Sequence, residues 1–299
     1  MRTGASLKHM ESQTYTGMCR GTLGELVQGP YLDGGRLNIA IVSLPIEQYT
    51  WVHFTRNVDE TDDRELCAKS KSLKALRNYL NLYDLPAPRG SWRFRSELEC
   101  GKGMASSTAD IIATIRCLDA VFGKSTPVSQ ICEILKDIER SDSVFLDSLA
   151  LYLSGEQKVV HQFVNVITLY VCYIDEGGVV DTEKSTRKLL DHYDRNLARY
   201  STNMEHAIEA IGNEDYQRIC DCATKSAELS QTVFPKKNFE KFINNKERFG
   251  SDGMIVAHTG SMLGFLFIKK PSIMLMADLS NFFFEIGYAC KFIKAGSSY

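Results

Sequence analysis

Residues 99–110 read ECGKGMASSTAD and pass directly into the apolar run IIATIRCLDAVFG. Gly101 and Gly103 open backbone torsions closed to other residues and let a ligand approach the chain. Ser106, Ser107 and Thr108 stand where a helix begins, at the point where first-turn N–H groups lack partners within the helix. Those donors and the helix dipole favour an anion, so the stretch has the chemistry of a phosphate cradle. Met104 and Ala105 complete the loop, the hydroxyls suit phosphate oxygens or Mg2+, and Lys102 adds a mobile positive charge. The same residues also suit a glycine turn followed by a serine helix cap. The spacing matches neither the GxxxxGK[ST] loop nor the GxGxxG fingerprint.

The elements that must hold this loop follow from periodicity. Ile111, Ile112, Ile115, Leu118, Val121 and Phe122 recur at helical spacing, which predicts a helix over 106–122 closed by Gly123. SWRFRSEL (91–98) alternates as a strand leading into the loop. Upstream, 15–27 predicts a strand broken by a bend, 37–54 two strands around Pro45, and 66–83 a helix. Downstream, Pro127 opens a helix that carries Glu133 and leads to ERSDS (139–143). The apolar run 144–153 reads as helical and 166–175 as a buried strand. Two helical patterns over 184–232 are separated by GNED, and Pro235 begins a helix running to about Arg248. A strand, tight turn and strand follow over 251–268, then a helix near 275–287 and a strand near 289–294. Strands and helices mix in both halves, so the class is α+β. The weakest stretch, 155–165, suggests a lead-in over 1–14 and two domains, 15–160 and 161–299.

The chain has 299 residues, 44% hydrophobic and 24% charged, with a net charge of -2. This is ordinary globular composition. It carries no basic excess of the kind that marks a nucleic-acid partner and no apolar stretch of the roughly 20 residues a membrane span needs. The nine cysteines are scattered, and Cys220 and Cys222 lack a zinc spacing. They are expected to be reduced, mostly buried thiols of a cytoplasmic protein.

Other stretches give the loop company. CRGTLGELVQG (19–29) lies upstream, ERSD (139–142), GGVVDT (177–182) and AHTGSMLGFLF (257–267) downstream. Together, in this order, they resemble the motifs of the GHMP kinase superfamily, and most of all its L-threonine kinase branch of cobalamin synthesis. GKGMASSTADI stands in the place of the superfamily's glycine-rich loop. The resemblance implies a GHMP kinase fold, with an N-terminal domain like ribosomal protein S5 domain 2 and a ferredoxin-like C-terminal domain.

It also implies ATP and Mg2+ as cofactors and residues 101–108 as the ATP-phosphate loop. Ser107 and Glu139 would be metal ligands, with Glu139 preferred over Glu133. Asp142 would face the acceptor hydroxyl and, with Lys102, carry the catalytic role. Asp142 also suits a cap on the following helix. Glu25, Asp181, His258, Thr259, Gly260 and Ser261 would bind a small amino-acid substrate. The expected reaction is ATP-dependent phosphorylation of the side-chain hydroxyl of L-threonine or a related hydroxy amino acid. A kinase for serine, homoserine or a sugar, and a non-catalytic binding protein on the same scaffold, stay open, as does a homodimer. The chain departs from the pattern in three places, one being EKSTRK (183–188) where the threonine kinases have a Phe-Asn-containing stretch. The first-motif lysine of mevalonate-kinase-like members is missing, leaving Arg20 or Lys102 to supply its charge. Glu139-Arg140-Ser141-Asp142-Ser143 stands where the threonine kinases have Glu-Pro-Thr-Asp-Gly, near the acceptor.

Overall fold

The structure is a computed structural model and describes residues 13–57, 61–178 and 182–296. Of the expected lead-in, residues 1–12 lie outside it, and Thr14 already opens β1 (Thr14–Asp33). In chain order follow β2 (Arg36–Arg56), α1 (Arg64–Ala68), α2 (Ser70–Tyr83), β3 (Gly90–Ser96), α3 (Ser106–Phe122) and α4 (Val128–Lys136). Then come β4 (Ala150–Leu153), β5 (Lys158–Gln162), β6 (Thr168–Asp175), α5 (Thr182–Gly212), α6 (Tyr216–Ser230) and α7 (Phe239–Asn245). The chain closes with β7 (Gly253–Val256), β8 (Met262–Phe267), α8 (Ile273–Glu285) and β9 (Lys291–Gly296).

The strands form one sheet ordered β1-β7-β8-β6-β9-β2-β4-β5, with β3 also on β2 and β1 paired directly with β2. Among the described residues the strand ladders are antiparallel, for example Tyr15 opposite Phe54 and Tyr170 opposite Phe267. β1 and β2 are long enough to serve two parts of the sheet. Their shared ladder shifts register between Arg20 and Thr22, Thr22 and Glu25, and Glu25 and Val27. Those irregularities bend β1 where GELVQG lies, and they admit Pro45 opposite Thr22. A proline without an N–H fits where the ladder is already disrupted, which is why one continuous strand replaces the two expected around Pro45.

α3 lies against β1 and β2 and is buried on nearly every side, from Ala109 through Leu118. A second apolar cluster, rich in phenylalanine, joins β6, β7 and β8 to α7 and α8 through Phe242, Phe265, Phe282 and Phe283. The 144–153 run is not helical. Residues 143–148 turn, and Ala150–Leu153 pairs with β2 and β5. An apolar run without a polar face does not distinguish a buried helix from a buried strand by periodicity. The helix after Pro235 is also shorter than expected, confined to Phe239–Asn245. The cysteines are all free, with five buried and only Cys67 and Cys100 exposed. Among the described residues no helix is long and apolar enough to cross a membrane.

Candidate active site

Gly101 to Ala105 lie in the turn between β3 and α3, and Ser106 to Thr108 open α3. Ala105 takes the N-cap position at φ +53, in the left-handed region, and no side chain caps the helix. The serine cap considered from sequence is therefore not made. A non-glycine residue there costs about 1–2 kcal/mol, a strain typical of ligand-gripping backbone. The turn is sewn to two other segments. Thr22 N–H donates to Met104 O and Gly24 N–H to Gly103 O, which ties it to the bend in β1. Ser261 N–H donates to Lys102 O, which ties it to the β7–β8 turn. The contact is close enough to demand glycine: a Cβ on Gly103 would lie 2.2 Å from Ala257 Cβ, and one on Gly260 2.3 Å from Lys102 O.

The hydroxyls of the first helical turn converge on one carboxylate. Ser107 Oγ donates to Glu139 Oε2 at 2.7 Å and Thr108 Oγ1 to Glu139 Oε1 at 2.6 Å. Lys71 Nζ, from α2, reaches Glu139 Oε2 at 2.7 Å. Glu139 sits three residues past the end of α4 rather than on it, and the segment 139–142 is held from behind by Gln157. The Gln157 amide donates to Glu139 O at 2.6 Å and Ser154 O at 3.0 Å, and its carbonyl accepts from Ser141 and Tyr152. With every polar atom engaged, this buried glutamine fixes an irregular segment that hydrophobic packing alone would leave loose.

A cavity of about 280 Å³ opens over these groups. Glu25, Gly101, residues 103–108, Glu139, Asp142 and Thr259 line it, so eleven predicted residues meet there. Lys71, Arg140 and Gln28 line it too, and sequence reasoning gave none of them a role. Lys102, His258, Gly260 and Ser261 lie behind the wall. Lys102 Nζ pairs with Asp175 Oδ2 at 2.9 Å, and Asp175 also accepts from Ser261 Oγ. Lys236 Nζ donates to Gly260 O at 2.5 Å, and burial draws its ammonium down to about 8. Arg20 Nη2 donates to Leu146 O at 2.7 Å. Both candidates for the missing first-motif charge therefore point elsewhere, and Lys71 and Arg140 are the cations that reach the cavity. Asp181 lies outside the described residues.

Two carboxylates on the opposite side carry contrasting protonation behaviour. Glu25 Oε2 accepts from His258 N–H at 3.0 Å and from Nδ1 at 2.9 Å. Burial opposes its charge, but the hydrogen bonds and charge of His258 win and lower its pKa. His258 Nε2 meets Ser226 Oγ at 2.8 Å, Ser226 Oγ accepts Gln28 N–H at 3.1 Å, and Nδ1 carries the proton that Glu25 accepts. Asp142 accepts from Ser43 Oγ at 2.8 Å. Its pKa is pushed up to about 7, first by burial and next by the charge of Glu25. Since 144–153 is not a helix, Asp142 has no helix to cap. A carboxyl that titrates near neutrality beside a helix N-terminus and an acidic, hydroxyl-lined corner suits proton acceptance next to a bound polyanion.

Residues 69–155 match the family model of the GHMP kinases N-terminal domain. Over 270 residues the chain is 28% identical to the L-threonine kinase of Salmonella typhimurium, covering 84% of this chain and 82% of that protein. The L-threonine kinase of Citrobacter freundii is 27% identical over 261 residues, covering 83% and 84%. Among solved structures, a mevalonate kinase superposes with a TM-score of 0.70 at 12% identity, covering 95% of this chain and 99% of the other. The homoserine kinase of Cytophaga hutchinsonii does so at 0.67 and 11%, covering 99% and 97%. At such identities the structural likeness is one of fold, and it is the expected GHMP kinase fold. The matched segment contains the whole glycine loop with Lys71, Glu139 and Asp142, and the relatives run along most of the chain. Residues 69–155 therefore carry a GHMP kinases N-terminal domain, and the relatives that run along most of the chain support a phosphotransferase.

Proposed function

We propose that the chain is an ATP- and Mg2+-dependent kinase for L-threonine or a related hydroxy amino acid. The observation that carries this reading is the meeting, in one cavity, of the uncapped helix start with its Ser107–Glu139 pair and of Asp142 with Glu25. The relatives' activity as L-threonine kinases supports the acceptor class. The division into 15–160 and 161–299, and the ribosomal-protein-like and ferredoxin-like descriptions of those parts, remain part of this proposal.

The loop and the first-turn N–H groups of α3 would receive the ATP phosphates. An oxygen-only corner of Ser107, Thr108 and Glu139 has the donor chemistry of a Mg2+ site. One carboxylate fits an ion that keeps most of its other ligands as water and phosphate oxygens. Bound there, the ion would neutralise charge on the phosphates. Lys71 would add the cation expected of the first motif. Asp142 would accept the proton of the acceptor hydroxyl as the new O–P bond forms and the bond from the γ-phosphorus to the ADP oxygen breaks. Glu25, kept ionised by His258, would face the acceptor's ammonium. His258, Gly260 and Ser261 would act from behind the wall by fixing Glu25 and the loop, and Lys102 by holding the loop to Asp175.

The test is direct. Purified protein with Mg-ATP is offered threonine, serine, homoserine and related amino alcohols, with ADP release followed and products weighed by mass spectrometry. The expected result is an O-phospho-amino acid, with threonine among the preferred acceptors. Phosphorylation of none of them overturns the proposal.

A further inference from the structure

Most cations around the cavity are committed to fixed partners. Lys71 sits on Glu139, Lys102 on Asp175, Lys236 on the Gly260 carbonyl and Arg20 on the Leu146 carbonyl. Arg140 is different. It lines the cavity, and burial disfavours its charge while Glu25 and Asp142 support it. Among the described residues its hydrogen bond is a long one, from Nη1 to Thr186 Oγ1 at 3.5 Å, and no described carboxylate reaches ion-pair distance. A guanidinium carries five N–H donors in a planar fork matched to a carboxylate, and a half-buried one gains most from such a partner.

We propose that Arg140 recognises the carboxylate of the acceptor, between Glu25 for its ammonium and Asp142 for its hydroxyl. The proposal rests on the kinase reading above and narrows the acceptor to a short zwitterionic hydroxy acid. Three observations converge on it. The three side chains line one cavity. A zwitterion meets its opposite charges at Glu25 and Arg140, which leaves Asp142 for the hydroxyl. Arg140 and Asp142 are two residues apart, so their backbones stand no more than about 7 Å apart. That span suits a carboxyl and a hydroxyl separated by three or four bonds, as in β- and γ-hydroxy amino acids, and not the two ends of a long substrate. Finally, Gln157 fixes the backbone of 139–142, so the guanidinium, the metal-side carboxylate and Asp142 keep one relative register.

The test compares three acceptors on the full-length wild type, Arg140→Met and Arg140→Lys. L-threonine has both charges, L-threoninamide lacks the carboxylate, and 3-hydroxybutyrate lacks the ammonium. In the wild type, kcat/KM is expected to fall on the order of 10- to 100-fold from threonine to the amide. Arg140→Met is expected to lose a similar factor with threonine, mostly in KM, and to lose little more with the amide. Arg140→Lys should recover part of the discrimination. An arginine that only balances Glu25 and Asp142 would shift the pH profile in all variants but leave the threonine-to-amide ratio intact. That intact ratio, or equal wild-type turnover of acid and amide, overturns the assignment while leaving the kinase standing. Turnover of 3-hydroxybutyrate without threonine upholds Arg140 and overturns the amino-acid reading. No turnover of any of the three overturns both. If Arg140→Met does not fold, the Arg140→Lys ratio decides.

Discussion

The two sides of the cavity, proposed above for phosphate and for acceptor, are built by different means. On the phosphate side, one contiguous stretch supplies backbone, hydroxyls and helix end, and a single carboxylate, Glu139, closes it. On the acceptor side, Glu25, Arg140, Asp142 and Thr259 come from three separate segments, and partners out of the cavity hold them: His258 and Ser226 for Glu25, Ser43 for Asp142. The electrostatics differ as well. Glu139 is matched by three donors, whereas burial and the charge of Glu25 raise the pKa of Asp142 while His258, against burial, lowers that of Glu25. The side proposed for phosphate is internally satisfied. The acceptor side keeps charge in reserve for a ligand that supplies its own.

Breaking the phosphate side should have the largest effect. Glu139→Gln is expected to lower kcat on the order of 10³-fold and to weaken Mg-ATP binding, measured by steady-state kinetics and calorimetry. Next comes the acceptor side. Asp142→Asn, nearly isosteric and still able to accept from Ser43, is expected to lower kcat about 10²- to 10³-fold with ATP affinity retained. Wild-type kcat/KM should rise as Asp142 ionises through a pH of about 7, and the variant should lose that rise.

Smaller effects sharpen the contrast in stability. Gly103→Ala places a methyl against Ala257 at a positive φ, and should cost about 2–4 kcal/mol in denaturant unfolding. Asp142 binds its proton more tightly folded, near 7, than at its ordinary 3.8. Folding therefore takes up a proton between those values, and its contribution to stability is lost as pH rises through that window. Asp142→Asn should accordingly melt higher than the wild type at pH 8, with the difference shrinking toward pH 4. Glu25 has the opposite sign: its depressed pKa adds stability above the usual carboxylate range that is lost in acid, so Glu25→Gln should lose stability most at neutral pH. Smallest is Asp175→Asn, which frees Lys102 from its partner and should cost about 1 kcal/mol in unfolding.

The phosphate side was legible because it is local. Glycines, hydroxyls and the apolar helix period lie within one stretch, so the Gly101–Thr108 loop and the helix to Phe122 follow from sequence. The acceptor side was legible only as candidate residues. Glu25, Asp142 and Thr259 reach the cavity, but nothing in spacing shows that Lys102 turns to Asp175 or that Lys71 reaches Glu139, 68 positions away. Gln157 and Ser226 left a fainter trace: a glutamine in a turn and a serine on the buried face of an otherwise regular helix carry no motif. Arg140 was visible as a departure from the threonine kinase pattern without a role, because a single substitution does not reveal which way its side chain points. In the fold, Pro45 misled because the bulged ladder that tolerates it is formed with residues some twenty positions away. The 144–153 run misled because burial on all sides erases periodicity.

The separateness of the two sides is the central claim, and paired binding measurements test it most directly. Titration of Glu139→Gln and Asp142→Asn with Mg-ATP, alongside single-turnover phosphorylation of L-threonine, should separate the two variants. The first variant should lose nucleotide affinity. The second should bind nucleotide as the wild type does while its rate of phosphoryl transfer collapses. Equal loss of nucleotide affinity in both variants would contradict the account.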